Sequence, residues 1–204
     1  MEKYFKTLFK ILKQCNRVLK DDGRLIINTQ PYYSSYMPTN QLITAYLLNE
    51  LKMKWKTEII WDKNNYNASK SSFGSYLSPS APYLKSTFEY INVYSKKNLK
   101  KKGDKENIDI TKDEFFEFIK MKWNIAPENK MKKFNHPAMF PEQLVYRLLK
   151  LFTYKKDIIL DPFNGVGTTT LVANKLNRRY IGIDISKEYC KTAKKRIKDN
   201  ISLF

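Results

Sequence analysis

Histidine and cysteine are both scarce in this sequence. The 204 residues include one histidine, His136, and two cysteines, Cys15 and Cys190, which lie far apart and form no CxxC pattern. A single histidine argues against a His-based metal site and against a Ser-His-Asp triad, so no metal is expected. The two cysteines are predicted to be reduced, buried thiols of an intracellular protein.

Long hydrophobic runs are also absent. No apolar run approaches the roughly 20 residues that span a bilayer, and residues 1–6 contain no apolar core of a secretory signal. We therefore expect a soluble, cytoplasmic protein.

Hydrophobic residues still make up 42% of the chain and aromatic residues 14%. This composition excludes a disordered chain and allows one domain with a sizeable core.

Acidic residues are few relative to basic ones. Lys and Arg number 38 against 20 Asp and Glu, which gives a formal net charge of +18. Such a surplus attracts polyanions and favours nucleic acid or an anionic membrane as partner. A general bias toward lysine in the genome would produce the same total, so charge alone leaves the partner open.

Apolar periodicity predicts helices that alternate with short strands. This alternation predicts an α/β fold with a doubly wound, mostly parallel, Rossmann-like sheet. In the second helix, Leu42, Tyr46, Leu47 and Leu51 have the spacing of core residues, and Pro141 is expected to be the first residue of a later helix. The predicted helices span residues 2–20, 40–52, 141–152, 168–176 and 186–198, with a short one around 115–119; the predicted strands span residues 24–28, 58–61, 87–94, 158–160 and 180–184.

The most informative segment is the glycine loop, residues 161–169, with the sequence DPFNGVGTT. It lies between a predicted strand and a predicted helix, where open α/β sheets bind ligands. Gly165 and Gly167 allow a tight turn and a close approach to a ligand. Asp184, at the end of the next predicted strand, could accept hydrogen bonds from both hydroxyls of a ribose. Together these residues predict a pocket for an adenosine-containing molecule.

Three such ligands differ in what they require of the loop. A P-loop needs Gly-Lys-Ser or Gly-Lys-Thr, and neither tripeptide occurs. In a dinucleotide fingerprint the third glycine would stand at Thr170. S-adenosylmethionine needs no phosphate cradle, and Asp161 suits its positively charged methionine end. The loop therefore favours S-adenosylmethionine, with a plain strand-to-helix turn as the alternative.

The order of motifs resembles the DNA N4-cytosine/N6-adenine methyltransferase family of the β arrangement, in which the catalytic motif precedes the cofactor motif. Residues 161–169 resemble its DPFxGxGTT loop, and residues 179–184 with Tyr189 resemble the stretch that carries the ribose acid. Residues 135–141, 17–28, 61–63 and 88–96 resemble further segments. The resemblance implies S-adenosylmethionine as cofactor, bound by Asp161, Pro162, Phe163, Gly165, Gly167, Thr168, Asp184 and His136.

The resemblance also implies a reaction. The family transfers a methyl group to the exocyclic amine of a base flipped out of double-stranded DNA, at adenine N6 or cytosine N4, here within a restriction-modification system. A (D/N/S)PP(Y/F/W) motif holds the amine in line with the methyl group. No two prolines are adjacent in this chain, so that motif is absent and no catalytic residue is assigned. The nearest segment, residues 78–83 (SPSAPY), is interpreted as a rim or DNA-facing loop.

The absent motif predicts a sheet that is incomplete at its N-terminal part, without a central strand between residues 158–160 and 24–28. Three explanations remain open: a truncated or relic form, one half of a split enzyme whose second chain carries the motif, or a non-catalytic DNA-binding subunit with a vestigial cofactor pocket. Methylation of RNA or protein is the alternative chemistry. Neither a membrane nor a metal is an expected partner.

The resemblance divides the chain into a truncated catalytic half (residues 1–95), a target-recognition or linker segment (96–135) and an S-adenosylmethionine-binding part (136–204). Trp123 is expected in the core, with base stacking as the alternative. Tyr32, Tyr33 and Tyr36 are weaker candidates for contact with a flipped base. The predicted DNA-binding residues, each of which could instead be a solvated linker lysine, are Lys100, Lys101, Lys102, Lys130, Lys132 and Lys133.

Overall fold

The computed structural model describes residues 2–32, 37–64, 74–84, 86–129, 134 and 139–201. The chain divides into two compact units, one comprising residues 1–100 and 121–126 and the other residues 101–120 and 127–204. The elements of the first unit are α1 (Glu2–Val18), β1 (Arg24–Thr29), α2 (Thr39–Asn49), β2 (Lys54–Asp62), β3 (Phe88–Ser95) and β4 (Lys122–Asn124). Those of the second are a 3-10 turn (Lys105–Asn107), α3 (Lys112–Phe118), α4 (Glu142–Phe152), β5 (Ile158–Asp161), α5 (Thr168–Lys175), β6 (Arg179–Gly182) and α6 (Lys187–Ile201).

The first unit is built on a four-stranded sheet in the order β1-β3-β2-β4. β3 runs antiparallel to both of its neighbours, whereas β2 and β4 are parallel. The apolar face of α1 buries Phe5 and Leu12 in one cluster with Leu47 and Tyr94, as its periodicity predicts. Leu42 does not belong to this core: it is exposed, and Ile43 is buried instead.

Trp123 belongs to the core of the first unit. It lies on β4 and only 1% of its surface is exposed, so the alternative of base stacking is wrong for this residue. The indole N–H of the neighbouring Trp61 donates a 2.8 Å hydrogen bond to the carbonyl of Ile125. Because a buried indole N–H needs an acceptor, this bond also fixes the backbone that follows β4.

The second unit contains the two-stranded parallel sheet of β5 and β6. Val145 and Leu149 of α4 pack against Val172 and Ala173 of α5 in its core. Pro141 directly precedes α4 as its N-cap, one position earlier than expected, which suits a residue that lacks a backbone N–H. α3 begins with a capping box, in which Thr111 and Glu114 bond each other's backbone N–H.

A buried arginine joins residues 101–120 to the rest of the second unit. The guanidinium of Arg178 donates to both carboxylate oxygens of Asp109, to Oγ1 and the carbonyl of Thr153, and to the carbonyl of Leu176. Burial alone would raise the pKa of Asp109, but the hydrogen bonds and charge of Arg178, with Lys150, hold it below its usual value. This ion pair anchors Asp109, which lies in the segment predicted to be a target-recognition or linker segment (residues 96–135).

The α/β class is confirmed, and the larger sheet is mixed because of the antiparallel strand β3. Among the described strands, β1 pairs only with β3 and β5 only with β6, so each sheet has an unpaired edge where the sequence predicts a missing neighbour. No helix of the described ranges is both long enough and apolar enough to cross a membrane.

Candidate cofactor site

The glycine loop connects the carboxyl end of β5 to the start of α5. β6 runs parallel to β5 with Asp161 opposite Gly182, so residues that follow the two strands lie at the same edge of the sheet. The amide of Asn164 donates a 2.9 Å hydrogen bond to the carbonyl of Ile183, and the amide of Ile183 donates one of 2.9 Å to the carbonyl of Asp161. These hydrogen bonds hold the glycine loop against the residues that follow β6. A single pocket formed by the loop and Asp184, as predicted from the sequence, needs this proximity.

The carboxylate of Asp184 links the glycine loop to the residues that follow β6. Its Oδ2 accepts a 2.8 Å hydrogen bond from the amide of Gly165, and its Oδ1 accepts one of 2.8 Å from the amide of Ser186. Asp184 follows β6 by two residues and does not end the strand as predicted. An ionised carboxylate offers about four acceptor positions, so both oxygens retain capacity for further donors such as ribose hydroxyls.

Gly167 is required for a reason that the sequence did not reveal. Its φ of +85° lies in the left-handed region, and a Cβ there would come within 2.6 Å of the Ala193 Cβ on α6. The glycine therefore allows α6 to approach the start of α5, in addition to turning the chain. Gly165, with φ of +50°, is the second left-handed residue of the loop.

Asp161 turns its side chain back onto the loop. Its Oδ1 accepts a 2.9 Å hydrogen bond from the amide of Phe163. Oδ2 has no hydrogen-bond donor among the residues that the structure describes, which leaves an acceptor for a cationic ligand group. Of the other predicted loop residues, Pro162 is half-buried, Thr168 is buried and the ring of Phe163 is 57% exposed.

Arg196 of α6 supports the loop and was not found from the sequence. Its guanidinium donates to the Val166 carbonyl at 2.8 Å and to Glu142 at 3.3 Å, and it lies 4.6 Å from the ring centroid of Phe134. Burial lowers the pKa of Arg196, and the carboxylate of Glu142 opposes that effect. A lysine-rich helix gives no signal that its single arginine faces inward.

The predicted DNA-binding lysines differ in exposure. The ammonium of Lys101 is paired with Asp157 at 3.2 Å, and its side chain is only 17% exposed, so its charge is already balanced within the protein. Lys100 and Lys102 are exposed and remain candidates. His136, Lys130, Lys132, Lys133, Tyr33 and Tyr36 lie outside the described residues.

The SPSAPY segment lies in the connection between β2 and β3. Pro82 forms a bridge with Gly74, and the Tyr32 hydroxyl donates a 2.6 Å hydrogen bond to the carbonyl of Leu84. The Tyr32 and Tyr83 rings meet edge to face, with centroids 6.5 Å apart. The rim or DNA-facing role of this segment stays a prediction.

The chemistry of the loop fits an adenosyl ligand without phosphates. Residues 161–170 contain no lysine or arginine, and Asp161 and Asp184 are the acids on its two sides. Acceptors for hydroxyls and for a cation are therefore present, and residues 161–170 supply no side-chain cation for a phosphate. In the described parts of the chain, no group of three or more His, Cys, Asp or Glu residues could hold a metal ion.

Comparison with known proteins decides the family. The chain matches the profile of the DNA methylase (N6_N4_Mtase) family over residues 1–195. The chain belongs to this DNA methylase family. The family resemblance predicted from the motif order is thereby confirmed.

Individual relatives support this membership. The Type II methyltransferase M2.DpnII of Streptococcus pneumoniae is 33% identical over 192 residues, covering 92% of this chain and 65% of that protein. M.BglII of Bacillus subtilis is 30% identical, covering 93% of this chain and 55% of that protein. TTHA0409 of Thermus thermophilus, solved in complex with S-adenosyl-L-methionine, superposes with a TM-score of 0.78 at 25% identity, covering 100% of this chain and 80% of that one. The chain thus spans less than two thirds of the length of these two curated relatives.

Proposed function

We propose that this chain forms the S-adenosylmethionine-binding part of a DNA amino-methyltransferase. The observation that carries the proposal is the hydrogen bond from the Gly165 amide to Asp184, at the carboxyl ends of two parallel strands. The sequence lacks Gly-Lys-Ser and Gly-Lys-Thr and has Thr170 in place of the third glycine of a dinucleotide loop, which supports an adenosyl ligand over a phosphate-bearing one. Membership of the DNA methylase family and a neighbour solved with S-adenosylmethionine support the same cofactor.

In this proposal the loop residues bind and orient the cofactor. Asp184 accepts hydrogen bonds from the ribose hydroxyls, and Asp161 balances the ammonium of the methionine end. His136 is proposed to assist at that end, and Pro162, Phe163 and Thr168 complete the loop. S-adenosylmethionine, when bound, supplies a methyl group on a sulfonium that a base amine can accept. The protein's contribution is to fix that group in position.

The base-positioning groups are proposed to come from polypeptide outside these 204 residues. The (D/N/S)PP(Y/F/W) motif has no counterpart here, since no two prolines are adjacent. A further segment of the same protein or a second chain could supply it. Both arrangements predict that the present chain binds cofactor and requires the motif in trans or in cis for methyl transfer.

The substrate is proposed to be double-stranded DNA, methylated at adenine N6 or cytosine N4 within a restriction-modification system. In the proposed domain organisation, residues 1–95 are a truncated catalytic half without its catalytic motif, residues 96–135 are the target-recognition or linker segment, and residues 136–204 are the cofactor part. Within the second segment, Lys100 and Lys102 are the described lysines proposed to contact phosphates.

A second candidate function is a non-catalytic DNA-binding subunit with a vestigial cofactor pocket. The missing catalytic motif and the net charge of +18 favour it. The two candidates differ in cofactor binding, because a vestigial pocket would not gain stability from S-adenosylmethionine. A competition binding assay distinguishes RNA methylation from DNA methylation. A DNA enzyme should bind duplex DNA more tightly than RNA of equal length.

The experiment is thermal unfolding of the chain with S-adenosylmethionine, with ATP and without ligand. A ligand that binds only the folded state raises the free energy of unfolding by about 2.7 kcal/mol at 100 times its Kd. We expect S-adenosylmethionine to raise the Tm and ATP to leave it unchanged. No rise with S-adenosylmethionine would favour the non-catalytic subunit, and a rise with ATP alone would contradict the proposed cofactor.

A further inference from the structure

Helix α1 carries five cations on one face: Lys3, Lys6, Lys10, Lys13 and Arg17. They are three or four residues apart, which matches the 3.6-residue turn of an α-helix, so they form one continuous row about 21 Å long. All five side chains are exposed. We refer to these residues as the α1 basic stripe.

Acidic residues are scarce on the helix that carries the stripe. After Glu2, α1 contains no Asp or Glu, although surface helices gain stability from acid–base pairs at this spacing. Like charges three or four residues apart destabilise a helix, and Lys3 and Lys6 lie near the positive end of the helix dipole, where cations are unfavourable. Asp21, which follows the helix, is paired with Lys97 at 3.0 Å.

The opposite face of α1 is occupied by the protein core. Phe5 and Leu12 are buried, and Leu8 and Phe9 pack against the same cluster. These apolar side chains are therefore not available to insert into a bilayer, as an interfacial membrane helix requires. What the stripe offers a partner is regularly spaced positive charge without an apolar face.

Duplex DNA has the matching distribution of negative charge. It carries one phosphate charge per about 1.7 Å of axis when both strands are counted, so the length of duplex that a row of about 21 Å spans carries roughly 12 charges. We propose that the α1 basic stripe is a second DNA-binding surface, which contacts the phosphate backbone independently of base sequence. The choice of duplex DNA as the polyanion rests on the proposed function. The stripe is separate in sequence from the proposed target-recognition segment, residues 96–135.

The test measures how the affinity for a labelled duplex of arbitrary sequence depends on salt. Two triple variants of the full chain are compared with the wild type by fluorescence anisotropy over a range of NaCl concentrations. The stripe variant is Lys3→Gln, Lys10→Gln and Lys13→Gln; the control, from exposed lysines of the same unit, is Lys52→Gln, Lys54→Gln and Lys56→Gln. Because each phosphate contact adds about 0.9 to the slope of log K against log salt, we expect the stripe variant to lose about 2–3 from that slope and the control to keep it.

Further variants separate charge from folding. Gln and Lys have similar helix propensity, and Lys→Arg at the same three stripe positions should retain the wild-type slope. If the triple Gln variant fails to fold, the single variants Lys10→Gln and Lys13→Gln should each lower the slope by about 0.9. Equal slopes for stripe and control variants would overturn the proposal, as would a stripe effect seen only with anionic vesicles. If the wild type binds duplex DNA but not S-adenosylmethionine, the proposed function is refuted, whereas the proposal that the α1 basic stripe binds DNA still holds.

Discussion

The amide of Gly165 and the carboxylate of Asp184 are joined by a 2.8 Å hydrogen bond across the ends of β5 and β6. The other carboxylate oxygen accepts the amide of Ser186 at 2.8 Å. The residue proposed to recognise the ribose therefore also holds the loop that surrounds the ligand. Cofactor affinity and local stability should consequently change together when either partner is altered.

Asp184→Ala is expected to have two separable effects. Loss of the acceptor leaves the buried Gly165 N–H unsatisfied and should lower the free energy of unfolding by about 1–3 kcal/mol without ligand. The additional stabilisation by S-adenosylmethionine should disappear. Thermal unfolding with and without ligand measures both, with the exposed Glu106→Ala as control. A ligand-induced Tm rise as large as that of the wild type would refute the ribose assignment.

Gly167→Ala tests the helix approach at the loop. The left-handed φ costs a non-glycine residue about 1–2 kcal/mol and overpacking against Ala193 a further 1–3 kcal/mol, so we expect a loss of roughly 2–5 kcal/mol. Chemical denaturation of the variant measures it. The double variant Gly167→Ala with Ala193→Gly removes the Cβ contact and should lose less than the sum of the two single changes. Strict additivity would show that the packing explanation is wrong.

Arg178→Met should be strongly destabilising. It removes five donated hydrogen bonds and leaves Asp109 without its partner, and breaking one side of a buried ion pair costs about 3–5 kcal/mol. Arg179→Met is the matched control, because Arg179 is the exposed neighbour. Urea denaturation of both variants should show a large loss for the first and a small one for the second; equal losses would contradict the anchoring role.

The lowered pKa of Asp109 predicts how this stabilisation depends on pH. A carboxyl whose pKa is lower in the folded state contributes stability above its unfolded pKa of about 3.9, and that stability is lost as pH falls through the folded value. The difference in unfolding free energy between wild type and Asp109→Asn should thus be constant above about pH 5 and shrink below about pH 4. A difference that grows on acidification would have the wrong sign.

Arg196→Gln should loosen the glycine loop from α6. The Val166 carbonyl and Glu142 lose a charged donor, so we expect about 1–3 kcal/mol lower stability and weaker S-adenosylmethionine binding by calorimetry. Lys195→Gln, the exposed neighbour on the same helix, is the control. If Arg196→Gln lowers stability but leaves cofactor affinity unchanged, Arg196 stabilises the unit without positioning the loop.

Local patterns in the sequence predicted much of this fold. The period of α1, the strands around residues 24–28, 87–94 and 158–160, and the strand–loop–helix at residues 161–169 all follow from local spacing and turn chemistry. The buried position of Trp123 was also expected. The helical pattern in α2 was ambiguous, and the prediction wrongly assigned Leu42 to the core. Leu42 is exposed and the adjacent Ile43 is buried. Only tertiary packing decides which of the two side chains faces the core.

Long-range polar contacts could not be predicted in the same way. Arg178 and Asp109 are 69 residues apart, and nothing local distinguishes them from solvated charges. Asn92 lies within an apolar-looking strand but is buried, and it donates to the Asn40 side chain at 2.8 Å. Such pairs depend on tertiary neighbours, as does the contact between Gly167 and Ala193.

The central claim is that residues 161–184 bind an adenosyl ligand without phosphates, and selective 15N-glycine labelling tests it directly. The chain has six glycines, of which Gly165, Gly167 and Gly182 lie at the site, while the other three are internal controls. Titration with S-adenosylmethionine is predicted to shift the amide signals of the three site glycines and to leave the controls in place, and ATP should shift neither set. Unmoved signals from Gly165 and Gly167 with S-adenosylmethionine, or equal shifts with ATP, would contradict the account.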